Sequence, residues 1–354
     1  MKIEEIKRVV VRGTNWVGDA AMSVPALREL RRVLPEARIT LCTRKNLAGL
    51  FEDADFLDDV LIYERGKNAF QTVRRNAQNW REREFDLAVL LPNSFESALA
   101  AKFGKAKNRI GYKTDNRGFL LTHALNIPEW KSERHEVFYY LNIIAELEKI
   151  LSGKTNVFER EPDISLSVSE QRKSAARRFL LENGIDFNRK IIALCPGSTN
   201  SRAKRWGAEK YAALADLLTE TANVVLVGAP DELEVSAEVV KNAKSKLILL
   251  TGKTTLAELT AILSLADLLI TNDTGPAHIA PAVGTKTVVV FGPTIPATTR
   301  PFSDLAEIVR KPPACAPCML RDCPIDHRCM TAIMPEEVFG LLTENGERRT
   351  ENRM

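Results

Sequence analysis

Asp19 stands where a β-branched run gives way to glycine and then to a helical pattern, within RVVVRGTNWVGDAAMSVPAL at residues 8–27. Val9, Val10 and Val11 predict a short buried strand. Gly13 and Gly18 bound the loop that follows, and Ala21, Val24 and Leu27 then recur at spacing three. The Gly13-x4-Gly18 spacing is that of a nucleotide P-loop, but such a loop continues with Lys and then Ser or Thr. Here Asp19 and Ala20 follow. A carboxylate at that point repels phosphate, so the loop reads poorly as an NTP site. An acid at a strand-to-helix turn is either a plain helix cap or a group placed for chemistry of its own.

The second half of the chain offers better phosphate chemistry. A strand ending at Cys195 runs into Pro196-Gly197-Ser198-Thr199, then Lys204-Arg205-Trp206. A tight turn with free amides, two hydroxyls and a Lys is a common diphosphate cradle, although Gly/Ser loops before helices are also common for purely structural reasons. TNDTGPAH at residues 271–278 places Asn272, Asp273, Thr274, Gly275 and His278 at the end of another strand, with Pro276 suited to a first helical turn. Capping by Asp273 or Thr274 accounts for part of that motif but not for its density. Phe291-Gly292-Pro293-Thr294 adds a second Gly/Thr turn on the same rim.

Two metal readings arise. Asp53-Ala-Asp55 has D-x-D spacing, but it lies in the acidic run EDADFLDD, away from a convincing strand end. Cys315-x2-Cys318-x4-Cys323-x5-Cys329 gathers four soft ligands around His327. Such a set suits zinc or an iron–sulfur cluster, yet the spacing is not that of a zinc finger. Packed free thiols are the preferred reading, ahead of a structural metal or a disulfide, and no metal is assigned. Cys42 and Cys195 lie in strand-like runs as small core residues.

The elements that must position these residues alternate. In the first half, strands are expected at residues 37–43, 60–63 and 87–91 beside the opening one, and in the second at 190–195, 223–228, 246–250, 268–271 and 287–291. Alternating strands and helices predict a parallel, doubly wound α/β sheet in each half, with ligands outside the carboxyl ends of the strands. Residues 67–85 read as a basic helix carrying Phe70, Val73, Trp80 and Phe85: a surface helix packed by its apolar side, or a foot resting on an anionic membrane. Residues 108–113 and Asn116–Arg117 read as basic loops, residues 151–175 as a linker, and residues 344–354 as a frayed polar tail. The chain has 354 residues, 45% hydrophobic and 27% charged, with a net charge of +4. That length suits two domains, and the slight basic excess suits an anionic ligand or membrane surface without calling for nucleic acid. No apolar run reaches the roughly 18 residues of a membrane span, and the charged start MKIEEIKR lacks a secretory h-region. A cytoplasmic location is expected.

In order along the chain, WVGDAAMSVPALREL, LPNSFESAL, CPGSTNSRAKRW, VLVGAPDELE, TNDTGPAHIA and VFGPT resemble the ADP-heptose:lipopolysaccharide heptosyltransferases of glycosyltransferase family 9. The resemblance spans nearly the whole chain and is strongest to the type II members. It implies the GT-B fold, two Rossmann-like domains facing across a cleft: residues 1–165 binding the acceptor and residues 166–345 the nucleotide sugar. It implies inverting transfer of L-glycero-D-manno-heptose from ADP-heptose to the lipid A-linked core oligosaccharide, without a cofactor, at the cytoplasmic face of the inner membrane.

The resemblance also implies roles. Asp19 becomes the general base that takes the acceptor hydroxyl's proton, and Lys204 neutralises the departing diphosphate. Ser198, Thr199, Thr274 and Gly275 offer donors to the diphosphate, and His278 belongs to the same motif. Asp273 is expected to order a loop or meet a sugar hydroxyl, since a bare acid beside phosphate is unfavourable. Glu232 is expected at the adenosine ribose. Asn93, Ser94 and Ser97 are expected at acceptor hydroxyls, and Arg109, Tyr112 and Lys113 at its carboxylates or phosphates. The rival readings are a type I or III heptosyltransferase, another nucleotide-sugar enzyme such as an epimerase, which a preference for UDP over ADP would favour, and a non-catalytic sugar-nucleotide-binding protein.

Overall fold

The computed structural model describes residues 1–342; the expected tail and the last residues of the expected donor domain lie outside the described residues. The chain divides into two compact units, Met1–Ser167 and Val168–Met354.

The first unit is a six-stranded sheet of β1 (Arg8–Arg12), β2 (Arg38–Thr43), β3 (Asp59–Ile62), β4 (Leu87–Leu90), β5 (Asn108–Tyr112) and β6 (His123–Leu125), in the order β3-β2-β1-β4-β5-β6. Every neighbouring pair is parallel, with Val10 registered between Thr40 and Ala88. Val9, Val10 and Val11 are fully buried, as a parallel strand covered on both faces requires. The strand order reverses between β1 and β4, and a crevice forms at the carboxyl ends of strands at such a switch point. The loop that leads to the Asp19 helix and the turn carrying Asn93 leave those two ends.

The second unit repeats the plan with β7 (Lys190–Cys195), β8 (Ala222–Leu226), β9 (Ile248–Leu249), β10 (Leu268–Asn272), β11 (Lys286–Val290) and β12 (Ala306–Val309), in the order β12-β11-β10-β7-β8-β9. All its pairs are parallel too. Its switch point falls between β7 and β10, the strands that lead into the 196–206 loop and the 271–278 motif.

Several local expectations are corrected. Residues 108–112 are not a basic loop but strand β5, with Ile110, Gly111 and Tyr112 buried. Arg117, in the expected basic loop, is fully buried. The end of the expected linker opens the helix Glu170–Glu182, and the short strands β6 and β12 are not among those expected. The basic helix runs over Ala69–Arg83, capped by Asn68, whose side chain accepts from the Gln71 amide. It packs through Val73 and Trp80, and the Trp80 indole meets Phe85 edge-on at 6.0 Å, while Phe70 is left exposed. Among the described residues no helix is long and apolar enough to cross a membrane.

Candidate active site

In the first unit, the helix Val17–Met22 takes Trp16, not Asp19, as its N-cap residue. Asp19 lies in the first turn, so capping does not account for it. Its carboxylate oxygen Oδ1 accepts a hydrogen bond from Tyr140 Oη at 3.0 Å. Tyr140 belongs to the helix Glu136–Ser152 and is buried. Burial pushes its phenol well above the ordinary tyrosine range, and the charges of Asp19 and Glu136 push it further. The phenol therefore stays protonated and serves Asp19 as a fixed donor. Glu136, one turn earlier, pairs with Lys131. Burial raises its carboxyl, Lys131 opposes the rise and Asp19 adds to it.

The adjacent Tyr139 stacks on Tyr112 at 4.2 Å, and its hydroxyl accepts from Asn93 Nδ2 at 2.9 Å. Two consecutive tyrosines on one helix thus hold the two rim residues, Asp19 after β1 and Asn93 after β4. Arg12 shapes the loop between β1 and Asp19. It is buried, lies 3.8 Å from the Tyr63 ring centroid, and donates to the Gly13 carbonyl and, at 2.7 Å, to Asn15 Oδ1. Tyr140, Glu136, Tyr139 and Arg12 were not legible as site residues, because each reads in sequence as part of a core helix or a strand end.

The expected acceptor set divides. Asn93 and Lys113 are exposed. Ser94 caps the helix Phe95–Phe103. Ser97 is buried, donating to the Ser94 carbonyl at 2.7 Å and accepting from Arg117 at 3.0 Å. Tyr112 is buried, and its hydroxyl donates to the Tyr139 carbonyl at 2.8 Å. Arg109 spends its guanidinium on the carbonyls of Leu120 and Ala106, at 2.7 and 2.6 Å. The polar atoms of Ser97, Tyr112 and Arg109 are thus committed to bonds inside the unit. Arg44 is a cation of this rim that the motifs did not single out: its guanidinium lies 6.0 Å from the Trp16 ring centroid and donates to the Asn15 carbonyl.

In the second unit, Lys204 Nζ pairs with Asp273 Oδ2 at 2.8 Å and donates to the Asp273 carbonyl at 3.2 Å. Thr294 Oγ1 donates to the same Oδ2 at 2.7 Å. Asp273 is thus a loop-ordering acid that ties together the turns after β7, β10 and β11. Asn272, fully buried, does the same one residue earlier: its amide donates to the Pro196 and Gly197 carbonyls, and its Oδ1 accepts from the Trp206 amide and Tyr211 Oη. Thr274 occupies the N-cap position of the helix Gly275–Ala282 without a side-chain capping bond, its hydroxyl lying 3.3 Å from that of Thr271. His278 is buried on that helix. Ser198 is buried and Thr199 exposed. Glu232 is buried; its Oε2 accepts from the Ala229 amide at 2.9 Å and its Oε1 from Thr199 Oγ1 at 3.4 Å. A Cβ on Gly197 would come within 2.3 Å of the Glu232 carboxyl carbon, so the turn needs glycine for this close approach. Burial holds the Glu232 carboxyl above its ordinary range.

The cysteine-bearing segment packs on this loop. The Ala203 amide donates to the Arg321 carbonyl at 2.9 Å, Arg202 pairs with Asp322 at 2.6 Å, and His327 Nε2 lies 2.5 Å from the Ala203 carbonyl oxygen. The segment therefore braces the turn that carries Lys204. All six cysteines are free, Cys315 and Cys318 exposed, Cys329 buried and Cys323 between. Among the described residues no group of three or more His, Cys, Asp or Glu is arranged to hold a metal ion. Asp55 of the D-x-D sequence pairs with Arg28 at 3.2 Å.

The model of glycosyltransferase family 9 (heptosyltransferase) matches residues 73–328. Lipooligosaccharide heptosyltransferase 2 of Haemophilus influenzae is 29% identical over 309 residues, covering 85% of this chain and 88% of its own. Lipopolysaccharide heptosyltransferase 2 of Escherichia coli is 29% identical over 320 residues, covering 86% and 88%. The solved structure of the E. coli ADP-heptose lipopolysaccharide heptosyltransferase II superposes with a TM-score of 0.81 at 26% identity, over 96% of this chain and 98% of that one. The two parallel six-stranded sheets and this likeness bear out the GT-B class of fold. With a family match over most of its length, the chain belongs to glycosyltransferase family 9, the heptosyltransferases, and is a glycosyltransferase.

Proposed function

We propose that the protein is an inverting heptosyltransferase of type II, which moves L-glycero-D-manno-heptose from ADP-heptose to the inner core of lipopolysaccharide. The observation that carries this reading is the Asp19 carboxylate held by Tyr140 at the strand end of the first unit. Asp19 takes the proton of the acceptor hydroxyl as its oxygen attacks the anomeric carbon. The bond from that carbon to the ADP phosphate oxygen breaks on the opposite side, through an oxocarbenium-like transition state. ADP departs with the bonding electron pair, and Lys204 with the amides and hydroxyls of Ser198, Thr199, Thr274 and Gly275 meets the charge that develops there. Glu232 takes the adenosine ribose, His278 supports the donor motif, and Asn93, Ser94 and Lys113 meet the acceptor. Residues 1–165 thus serve the acceptor and residues 166–345 the donor. The electrostatic work falls to protein groups, and activity is expected to survive EDTA.

The acceptor is lipid-linked, so the enzyme works at the cytoplasmic face of the inner membrane, with exposed Arg74, Arg75 and Arg81 toward anionic lipid. The test is transfer from ADP-heptose to core acceptors already bearing no, one or two heptoses, with wild type and Asp19→Asn. Transfer to the one-heptose acceptor, lost in Asp19→Asn, is expected. A near-normal rate in Asp19→Asn overturns the base assignment, and preference for the acceptor without heptose overturns the type II reading.

A further inference from the structure

We propose that Trp16 is a stacking platform for a pyranose ring of the acceptor, set beside Asp19 so that ring contact selects which hydroxyl meets the base. The inference rests on the transferase reading above and deepens its acceptor half.

The residue type fits neither local role open to it. Trp16 is the N-cap residue of Val17–Met22, with extended backbone and no side-chain capping bond. Helix starts favour Ser, Thr, Asp or Asn there, because their side chains satisfy free amides; an indole does not. Nor is it a core residue. Its exposure is 52%, against 0% for Trp80 and 1% for Trp206. A large aromatic left in water at a position that asks for a small polar residue is a local rule broken without gain to the fold, and such violations mark functional positions.

The ring is nevertheless braced. The Arg44 guanidinium lies 6.0 Å from its centroid and donates to the carbonyl of Asn15. Asn15 is held in turn by the buried Arg12. An exposed aromatic on a pinned loop loses little freedom on binding, which is how rigid aromatic contacts gain affinity. Its place fixes what it serves: the Ala20 amide donates to the Trp16 carbonyl at 2.9 Å, closing the helical turn that contains Asp19. One turn of helix rises about 5.4 Å, the span of a single sugar ring. Indole is flat and apolar with a polar edge, which matches the C–H face and hydroxyl rim of a pyranose. The charged and amide groups around it, Arg44 and Asn15, suit a sugar better than an acyl chain.

The test uses deacylated core oligosaccharide carrying one heptose, with wild type, Trp16→Phe and Trp16→Ala. Trp16→Ala is expected to raise the acceptor KM about tenfold, with Trp16→Phe keeping most of the affinity. The donor KM and the melting temperature should stay at wild-type values. Calorimetric titration of the same oligosaccharide without donor should show the same ratio in Kd. An acceptor KM and Kd for Trp16→Ala within about twofold of wild type overturn the platform. If wild type binds the oligosaccharide without transferring heptose, the type II reading fails while the Kd ratio still decides on Trp16. Absence of any binding by wild type overturns both.

Discussion

Tyr140 Oη donates to Asp19 Oδ1 across 3.0 Å, joining residues 121 positions apart in the chain. The phenol cannot ionise near neutrality, because burial and the two acids beside it hold its proton. It is a positioning residue: it fixes the carboxylate's direction and stabilises its charged form. Tyr140→Phe keeps the ring packing and removes only the donor. A carboxylate that loses a hydrogen bond to its ionised form becomes harder to ionise, so its pKa rises. The acid limb of the pH–rate profile is therefore expected to move up, with kcat lowered about tenfold at neutral pH. Purely structural damage would lower the whole profile without moving the limb.

Lys204 and Asp273 give the second unit an equally direct test. Lys204→Met removes the cation assigned to the leaving diphosphate and is expected to lower kcat/KM by about 10²–10³. Asp273→Asn keeps the shape but loosens the pair, whose separation is 2.8 Å, and weakens the anchor for Thr294. Its expected effect is smaller, about tenfold, and falls on the donor KM. Steady-state kinetics with ADP-heptose varied separate the two. Equal losses in both variants would mean that Lys204 acts only through the loop.

Much of this arrangement was legible in the sequence because it is local. The valine run of β1, the glycine-bounded loop and the TNDTGPAH motif each keep strand, turn and site residue within about ten positions. The parallel sheets followed from alternation alone. What stayed hidden is carried by side chains that travel. Tyr140 sits in a mostly apolar helix and looks like core until Asp19 is placed against it. Strand β5 is short and begins with Asn108 and Arg109, so its charges masked its three buried residues. The resemblance placed Ser97, Tyr112 and Arg109 at the acceptor, and here their polar atoms reach backbone carbonyls, with Ser97 also accepting from Arg117.

Arg117 shows the same inversion. It looked like a loop cation and is fully buried. Its Nε donates to the Tyr112 carbonyl at 2.8 Å, and Nη1 reaches the carbonyls of Pro92 and Ser94 and the Ser97 hydroxyl. Burial lowers its pKa to about 10. It therefore ties β5 to the turn carrying Asn93. Arg117→Ala leaves several buried acceptors without a donor, at an expected cost of about 3–5 kcal/mol. Denaturant unfolding measures it, and a loss below about 1 kcal/mol would mean that water replaces the guanidinium.

Asp86 supplies a pH-dependent anchor at the amino ends of the central strands β1 and β4. Its Oδ2 accepts from the Lys7 and Arg8 amides at 3.0 and 2.9 Å, and Oδ1 pairs with Lys107 at 2.8 Å. Burial alone would raise its pKa; Lys107 and the two amides outweigh that and hold it below the usual carboxylate range. A depressed folded-state value means that the native state favours the charged form. The stabilisation is complete above the unfolded value, about 3.9, and is lost as pH falls through the folded value. Asp86→Asn should therefore cost about 2 kcal/mol at pH 7, most of it from the amides, since Lys107 is largely exposed and its pairing is screened. The gap between wild type and variant should hold from pH 7 to about 5 and narrow progressively as pH falls below about 4. Urea unfolding across that range measures it, and a gap that stays constant down to pH 3 would show that the amide bonds persist with a protonated carboxyl.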